Sequence, residues 1–398
     1  MLPRVKIFFE NGNLGLVTPS PDGLLGILCT GATVAGTFAL ATPYQLFKLA
    51  DLTTLGITNA NNPTIYKIVS EFYAEAGDGT EVWLMGFADT VKHSDMVDIT
   101  SENYGKKLVN ACNGRLRGLI VSRTPGVGYT PTITNGIDAD IALARTNAQA
   151  FAVSYTDNQF APLFVILEGY AYNGTPADLV DLTASTGTNR VAIMIGDTVV
   201  SSAKAALGVL AGRLAKSPVQ RNIGRVKDGP LAPAATYIAA TPTELANVAA
   251  LHDKGYITFR TFVNQSGYYF NDDFIAAIST DDYSHLTARR TIDKAYRITY
   301  TTLLQWLLDE VQVNADGTLP NGVIKSWQAE VENAIAAQMT ANGELSGDVG
   351  NGDKGVECFI DQAQNIVGTS KLVVRIRVRP FGYPRMIDGY LGFTVLNS

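Results

Sequence analysis

The feature that most constrains the fold is a series of short apolar segments that alternate with helical segments. The apolar segments are Leu24–Cys29, Val82–Phe87, Arg117–Ser122, Pro162–Leu167, Arg190–Ile195 and Ile257–Phe262. Strands that are continuously apolar are typical of a sheet covered on both faces, and the helices between them provide that cover. This order predicts an α/β domain with a mainly parallel sheet.

Helix signals lie between these strands. We expect helices from Pro63 onward, over residues 104–113, over residues 137–154, from Thr175 onward, and before His252. Asn62 precedes Pro63 and is predicted to be its N-cap. Thr241 and Glu244 have the spacing of a capping box for the helix that ends near His252.

The C-terminal third has a different pattern. We predict a long amphipathic helix over Ser284–Val311, a second helix over Asn321–Met339, a glycine-rich break, and a strand over Lys371–Arg379. This strand alternates strictly between an apolar face of Leu372, Val374, Ile376 and Val378 and a basic face of Lys371, Arg375, Arg377 and Arg379. Further strands are predicted at Arg4–Phe9, on a proline-containing connector, and at Tyr390–Leu396. Because unpaired strand edges bind other strands, we expect these terminal strands to find partners.

Composition narrows the function classes. Of the 398 residues, 17% are charged and the formal net charge is -6, which argues against a general nucleic-acid binder. Cys29, Cys112 and Cys358 are far apart and form no CxxC pair, so neither a disulfide framework nor a zinc site is expected. The sequence shows no secretory signal and no apolar run of about 20 residues that would span a membrane, so we expect no membrane insertion and a cytoplasmic site of assembly.

Motifs for catalysis or cofactor binding are not found. Residues 23–31 lack GxGxxG spacing, and residues 350–355 lack the Gly-Lys-Ser/Thr order of a phosphate loop. His93, His252 and His285 are scattered along the chain. The acidic pairs at 272–273 and 281–282 are better explained as helix-terminus charges than as a cation site. We therefore predict no catalytic, cofactor-binding or metal-binding residues.

The order of elements resembles the C-terminal region of contractile tail sheath proteins of bacteriophages and related injection systems. The segments that carry the resemblance are Thr287–Arg297, like the basic opening of the long sheath helix, Val373–Pro380, like the strand-then-proline segment, and Leu251–Arg260, like the entry into that region. One segment departs from the pattern, because Tyr268–Phe274 stands where many sheaths have a Trp-Gly-Arg-Thr element.

The resemblance implies a structural subunit without enzyme activity or cofactors. Many copies would form a helical homo-polymer around an inner tail tube protein, with baseplate and tail terminator proteins as further partners and no direct nucleic-acid binding. The sleeve would contract from a metastable extended state, in a virion tail or injection particle assembled in the bacterial cytoplasm. The implied domains are an N-terminal strand arm (1–19) that joins the inner domain, an outer α/β domain (20–255), and an inner α+β domain with a C-terminal strand arm (256–398).

Specific residues follow from this resemblance. Strand exchange between subunits would use Val5, Ile7, Phe9, Val374, Ile376 and Val378. Contacts with the tube or a neighbour would use Arg289, Arg290, Lys294, Arg297, Arg375, Arg377 and Arg379. Two alternatives remain open. One is an α/β enzyme or small-molecule binder with a pocket at the carboxyl ends of the strands, and the other is a baseplate component that forms a closed ring.

Overall fold

The computed structural model describes residues 21–393. The described residues up to Thr301 form one compact unit, the first unit, and those from Thr302 form the second unit. Within these residues, no helix is both long enough and apolar enough to cross a membrane. The predicted arm strand at Arg4–Phe9, with Val5, Ile7 and Phe9, lies outside the described residues and stays a prediction.

The helices and strands are numbered separately in chain order. The helices are α1 (Asp51–Thr54), α2 (Pro63–Ala76), α3 (His93–Met96), α4 (Gly105–Ala111), α5 (Asp140–Gln159), α6 (Leu207–Lys216), α7 (Val248–Asp253), α8 (Leu286–Leu303), α9 (Asn321–Gln338) and α10 (Ile366–Thr369). The strands are β1 (Leu25–Thr30), β2 (Tyr44–Leu46), β3 (Val82–Phe87), β4 (Gly118–Ser122), β5 (Ile133–Thr134), β6 (Ile137–Asp138), β7 (Phe164–Glu168), β8 (Val191–Met194), β9 (Tyr237–Ile238), β10 (Thr241–Pro242), β11 (Phe259–Arg260), β12 (Tyr269–Phe270), β13 (Val356–Ile360) and β14 (Val374–Val378).

A six-stranded sheet in the order β2-β3-β1-β4-β7-β8 is the centre of the first unit. Four of its strand pairs are parallel, and only the edge strand β2 runs antiparallel, to β3. This confirms the predicted mainly parallel sheet. The strand order reverses its direction of growth between β1 and β4, as in doubly wound folds.

Both faces of this sheet are buried, which explains why its strands are apolar throughout. In β1, Leu25 and Ile27 contribute to one hydrophobic cluster, with Ile65 of α2 and Leu210 of α6. Leu28, which points the other way, contributes to a second cluster that includes residues of α4 and α5. A polar side chain on either face of β1 would therefore be buried without a partner.

Helices α2 and α6 pack closely because α6 contributes glycines to their contact. A β-carbon on Gly212 would lie 2.6 Å from the carbonyl oxygen of Phe72, so no larger residue fits without movement. Next to this contact, Arg213 forms an ion pair with Glu75 at 2.7 Å, and both side chains are 2% exposed. Either charge alone would be unfavourable in this buried position, so each residue depends on the opposite charge of the other.

Several local predictions need correction. Asn62 does not cap α2 through its side chain; its amide instead bonds the backbone of Ala32, with the Ala32 N–H donating at 2.7 Å. The predicted capping box is wrong, because Glu244 accepts a hydrogen bond from Tyr268 and Asn247 caps α7. The other differences are in extent: a 3-10 turn at Pro176–Asp178 in place of a helix, α8 ending at Leu303, β11 limited to Phe259–Arg260, and β14 limited to Val374–Val378.

The early end of α8 has a visible cause in the second unit. Beyond Leu303, residues Leu304–Trp306 form a 3-10 turn. The indole ring of Trp306 stacks on Trp327 of α9, with centroids 4.6 Å apart, and its N–H donates to Glu330. This tertiary contact replaces the continuation of the helix that local periodicity favours.

The first unit continues through residues 256–301. Ile257 continues the sheet by a parallel bridge to Met194 of β8. Asp293 of α8 forms an ion pair with Arg190, the residue that precedes β8. The assignment of the chain to outer and inner domains of an assembly stays a prediction.

Candidate interaction surface

The predicted alternation of the last long strand is visible in the second unit. β14 pairs antiparallel with β13, with Ile376 opposite Cys358 and Val374 opposite Ile360. The inward side chains of β13 are buried, and Val374, Ile376 and Val378 are half-buried. Val374 packs on a cluster that includes Ile360 and residues of α9. The apolar face of β14 therefore already has a partner within its own unit.

The opposite face of this small sheet is basic and exposed. Arg375 lies across from Phe359, which is 53% exposed, and Arg377 lies across from Glu357. Neither arginine forms an ion pair of 4.0 Å or less with another described residue, whereas Arg379 pairs with Asp353 at 2.7 Å. We call the side chains of Arg375, Arg377 and Phe359 the basic face. Two exposed cations beside an exposed aromatic ring suit an acidic, partly apolar partner.

The segment after β14, residues 380–393, has no regular secondary structure. Its large apolar side chains are exposed, which is unusual for a polypeptide that is isolated in water. They are Phe381, Met386, Ile387, Tyr390, Leu391 and Phe393, the last three at least 96% exposed. The strand predicted at Tyr390–Leu396 is not formed by residues 390–393, and its remainder lies outside the described residues.

The basic residues of α8 are placed differently from those of β14. Arg289 and Arg290 are 7% and 4% exposed. Arg289 pairs with Asp293 at 2.7 Å, while Lys294 and Arg297 both pair with Asp22. Burial lowers the pKa of Arg289, an effect that Asp293 opposes. A contact of these four cations with a tube stays a prediction, and for Arg289 and Arg290 it would require them to leave their internal partners.

The carboxyl edge of the parallel sheet is where ligands bind in doubly wound folds, at the point between β1 and β4. In this protein the chain fills that point itself. The ammonium group of Lys204 lies 2.8 Å from the hydroxyl of Thr124 and 3.2 Å from that of Thr64, and the Thr124 N–H donates to Thr30. Burial lowers the pKa of Lys204. These side chains therefore hydrogen-bond one another at the carboxyl edge of the sheet.

A buried polar cluster that sequence reasoning missed lies at the same edge. His93 is 2.7 Å from Glu168 through Nε2 and 3.5 Å from Asp140 through Nδ1. Glu168 also accepts hydrogen bonds from Ser122 and from the Arg123 N–H. The sequence feature that could have revealed this cluster is a charged residue, Glu168, directly after the apolar run Phe164–Leu167. His93, Glu168 and Ser122 are at most 1% exposed, so a substrate cannot reach them.

The two carboxylates determine the charge of His93. Burial alone would lower the pKa of His93, but hydrogen bonds and the negative charges of Asp140 and Glu168 overcome this and raise it. Conversely, burial would raise the pKa of Asp140, yet His93 and Ser94 lower it to about 2. The two carboxylates therefore favour the protonated form of His93, and the cluster connects α3, α5 and β7.

The acidic pair considered in the sequence is brought together with a histidine. Asp272, Asp273 and His285 each offer a ligand atom within 4.8 Å of one another. The amide of Asn222 donates to both carboxylates, and the Thr287 N–H donates to Asp273 at 2.7 Å. Burial and the neighbouring Asp272 raise the pKa of Asp273 well above its usual range. Hydrogen bonds thus already stabilise this acidic pair at the start of α8.

One cavity of the first unit is both open and polar. It encloses about 330 Å³ and is lined by Glu244, His252, Asp253 and Arg260, among others. The guanidinium of Arg260 lies over the ring of Phe262 at 4.0 Å, and its Nε has no hydrogen-bond acceptor among the described residues. A small molecule with both acidic and basic groups would fit such a lining.

Comparison with known proteins identifies the family. The protein-family model described as "DUF2586, N-terminal domain" matches residues 2–274. A second family model, "DUF2586, C-terminal domain", matches residues 282–398. No curated protein is significantly similar in sequence.

Solved structures give the fold. A chain of the helical sheath of the anti-feeding prophage (AFP) in the contracted state is 15% identical, with a TM-score of 0.59 and 99% of each chain covered. A chain of the AFP baseplate is 14% identical, with a TM-score of 0.60 and 99% of each chain covered. A chain of the contracted sheath complex of the extracellular contractile injection system PVC is 14% identical, with a TM-score of 0.59, 99% of this chain covered and 97% of that one.

The similarity extends over essentially the whole length of both chains, so it includes the small C-terminal unit as well as the α/β unit. The predicted resemblance is thereby confirmed at the level of the fold. The chain belongs to the DUF2586 family and has the fold found in sheath and baseplate assemblies of contractile injection systems.

Proposed function

We propose that this protein is the sheath subunit of a contractile tail or injection particle, without enzyme activity. Many copies would polymerise as a helical sleeve around an inner tube protein, bounded by baseplate and tail terminator proteins. The observation that carries this proposal is the exposed apolar segment 380–393, which follows a strand whose own apolar face is already packed. Such a segment needs a second protein surface to be buried.

Neighbouring copies of the same chain are the proposed partners of this segment. Strand addition to a sheet edge would use main-chain hydrogen bonds, and alternate side chains would provide specificity. The N-terminal residues Val5, Ile7 and Phe9 are proposed as the second connecting strand. β14, with Val374, Ile376 and Val378, is proposed to contribute its edge. These three side chains are half-buried, and Val374 already packs on the cluster that includes Ile360.

The basic face is proposed to meet an acidic surface of a neighbour or of the tube. Arg375 and Arg377 are exposed, and the chain itself carries a net charge of -6. Contacts between exposed charges are screened over roughly 10 Å at 0.1 M salt. Assembly through this face should therefore weaken as the salt concentration rises.

Contraction would release free energy stored during assembly and would not consume a nucleotide. A transition of this kind requires that the contracted arrangement makes more favourable contacts than the extended one. The self-satisfied hydroxyl and ammonium groups at the carboxyl edge of the sheet agree with this nucleotide-free mechanism.

Negative-stain electron microscopy of the purified full-length protein over a range of concentrations tests the proposal. We expect hollow tubes with a regular helical repeat. Deletion of Met1–Glu10 or of the residues after Pro380 should give a folded monomer that does not polymerise. Normal tubes from both truncations would contradict strand exchange, and closed rings in place of tubes would indicate a baseplate component.

Charge variants test the basic face separately. Arg375→Glu with Arg377→Glu should raise the concentration needed for tubes by at least tenfold. The matched control is Lys107→Glu with Lys227→Glu, which reverses two exposed charges in the first unit and should leave assembly unchanged. Equal effects of the two changes would show that net charge matters and the basic face does not.

The cavity beside Arg260 favours one second candidate, a small-molecule binder. If the full-length protein stays monomeric at every concentration, a thermal-shift screen with zwitterionic ligands becomes the informative experiment. Loss of any ligand-induced shift in Arg260→Met would locate binding at this cavity.

A further inference from the structure

The point where the chain enters the first unit is held by ion pairs. Asp22 lies three residues before β1, and its carboxylate pairs with Lys294 at 2.7 Å and with Arg297. The three side chains are between 12% and 17% exposed. Lys294 and Arg297 are three residues apart on α8, so they present their charges from one side of the helix.

Arg117 is a third cation near the carboxylate of Asp22. The Arg117 N–H donates to the carbonyl of Leu24 at 2.9 Å, and the Arg117 guanidinium donates to the carbonyl of Gly114. Burial would raise the pKa of Asp22, but Lys294, Arg297 and Arg117 together lower it. The enclosed space beside these groups is only about 10 Å³, so at most one water molecule fits.

The next residue is fixed by close packing. A β-carbon on Gly23 would overlap the carbonyl oxygen of Ala215 near the end of α6. Residues 22 and 23 are therefore held by charge and by shape, before the chain enters β1. β1 lies inside the sheet, with parallel neighbours β3 and β4 on its two sides.

We propose that Asp22, Lys294 and Arg297 form a mechanical anchor, which transfers tension on the residues that precede Asp22 to α8 and protects β1 from being pulled out of the sheet. The inference rests on the proposed function, because tension arises where the N-terminal residues pair with a neighbouring subunit. Without the anchor, a pull would act first on the hydrogen bonds at Leu24 and Leu25. Bonds loaded one after another break at lower force than a cluster loaded together.

Single-molecule force measurements on the full-length chain test the anchor without requiring assembly. One handle is attached at the N-terminus and the other at Leu143→Cys, an exposed site on α5; the three native cysteines are buried. The variant is Asp22→Asn. The control is Asp197→Asn, which removes an ion pair with Lys67 of similar length at the other edge of the sheet.

Under constant force, we expect Asp22→Asn to shorten the lifetime of the folded unit by at least about tenfold, as loss of one charge-assisted hydrogen bond predicts. Asp197→Asn should shorten it by less than threefold. The same variants are then pulled between Leu143→Cys and Val263→Cys, two exposed sites that are distant in sequence from both Asp22 and Asp197, so this geometry bypasses both ion pairs. In that geometry the two variants should behave alike.

An equal loss for Asp22→Asn in both geometries would overturn the anchor and leave an ordinary stabilising ion pair. If Asp22→Asn does not fold, Lys294→Gln, which keeps Arg297, takes its place with the same expectations. Absence of tubes from the wild-type protein would contradict the proposed function but would leave the force result to decide the anchor. Tubes from the wild-type protein together with unchanged lifetimes for Asp22→Asn would support the proposed function and contradict the anchor.

Discussion

Substitution of Arg290 by methionine distinguishes an internal role from an assembly contact. The guanidinium of Arg290 donates to the carbonyl of Ser217 at 2.7 Å and to that of Leu214 at 3.1 Å, with a longer contact to Pro218. These carbonyls lie at the C-terminal end of α6, where the last turn of a helix has no donors of its own. Arg290 thus acts as a C-terminal cap from a distant helix.

The expected cost follows from these bonds. A buried carbonyl that loses its donor costs about 1–3 kcal/mol, and two of the three bonds are short. Methionine keeps most of the side-chain volume, so little is added for a cavity. Together these give a loss of about 2–4 kcal/mol in the free energy of unfolding.

Urea unfolding followed by circular dichroism measures this loss as a lower midpoint with an unchanged slope. The control is Arg375→Met on the basic face, where a surface substitution should change stability by no more than about 0.5 kcal/mol. An unchanged midpoint for Arg290→Met together with loss of tubes would refute the internal role and restore Arg290 as a contact.

Three further outcomes follow from buried charge and from glycine packing. Although His93 is buried, Asp140 and Glu168 raise its pKa. Its stabilising contribution is therefore complete below the unfolded value of about 6.5 and is lost as the pH rises through the raised folded-state pKa. The urea midpoint should fall as the pH rises through that range, and His93→Gln should make the midpoint less dependent on pH. Gly212→Ala should destabilise by about 1–3 kcal/mol, because the new methyl group meets the Phe72 carbonyl, and thermal unfolding would detect it. Gly322→Ala in α9, where nothing lies within 4 Å, should instead stabilise by about 0.4–1 kcal/mol in the same assay, and a loss there would contradict the packing argument.

The parts of the fold that sequence could predict are those decided by neighbours in the chain. The apolar run of β1 indicates burial on both faces whatever packs there, and the strict alternation of β14 separates a packed face from the basic face. The extent of α8 was overestimated because the stacking of Trp306 on Trp327 joins residues 21 positions apart. A window of local periodicity does not contain that contact.

The charged residues of α8 also have partners that are distant in the chain, and this affects the prediction of function. Arg297 finds its partner 275 residues earlier in the chain, at Asp22, and Arg190 reaches Asp293 across 103 residues. The resemblance to sheath proteins implies that Arg289, Arg290, Lys294 and Arg297 contact the tube or a neighbour. Except for Asp293, four residues after Arg289, nothing in the sequence around them indicates their internal partners. A buried cation that has found an internal partner gains little by exchanging it for one on another protein, since the old partner would then be left unpaired at a cost of several kcal/mol. The charges best suited to assembly are those that their own chain leaves exposed, and among the predicted contact residues these are Arg375 and Arg377.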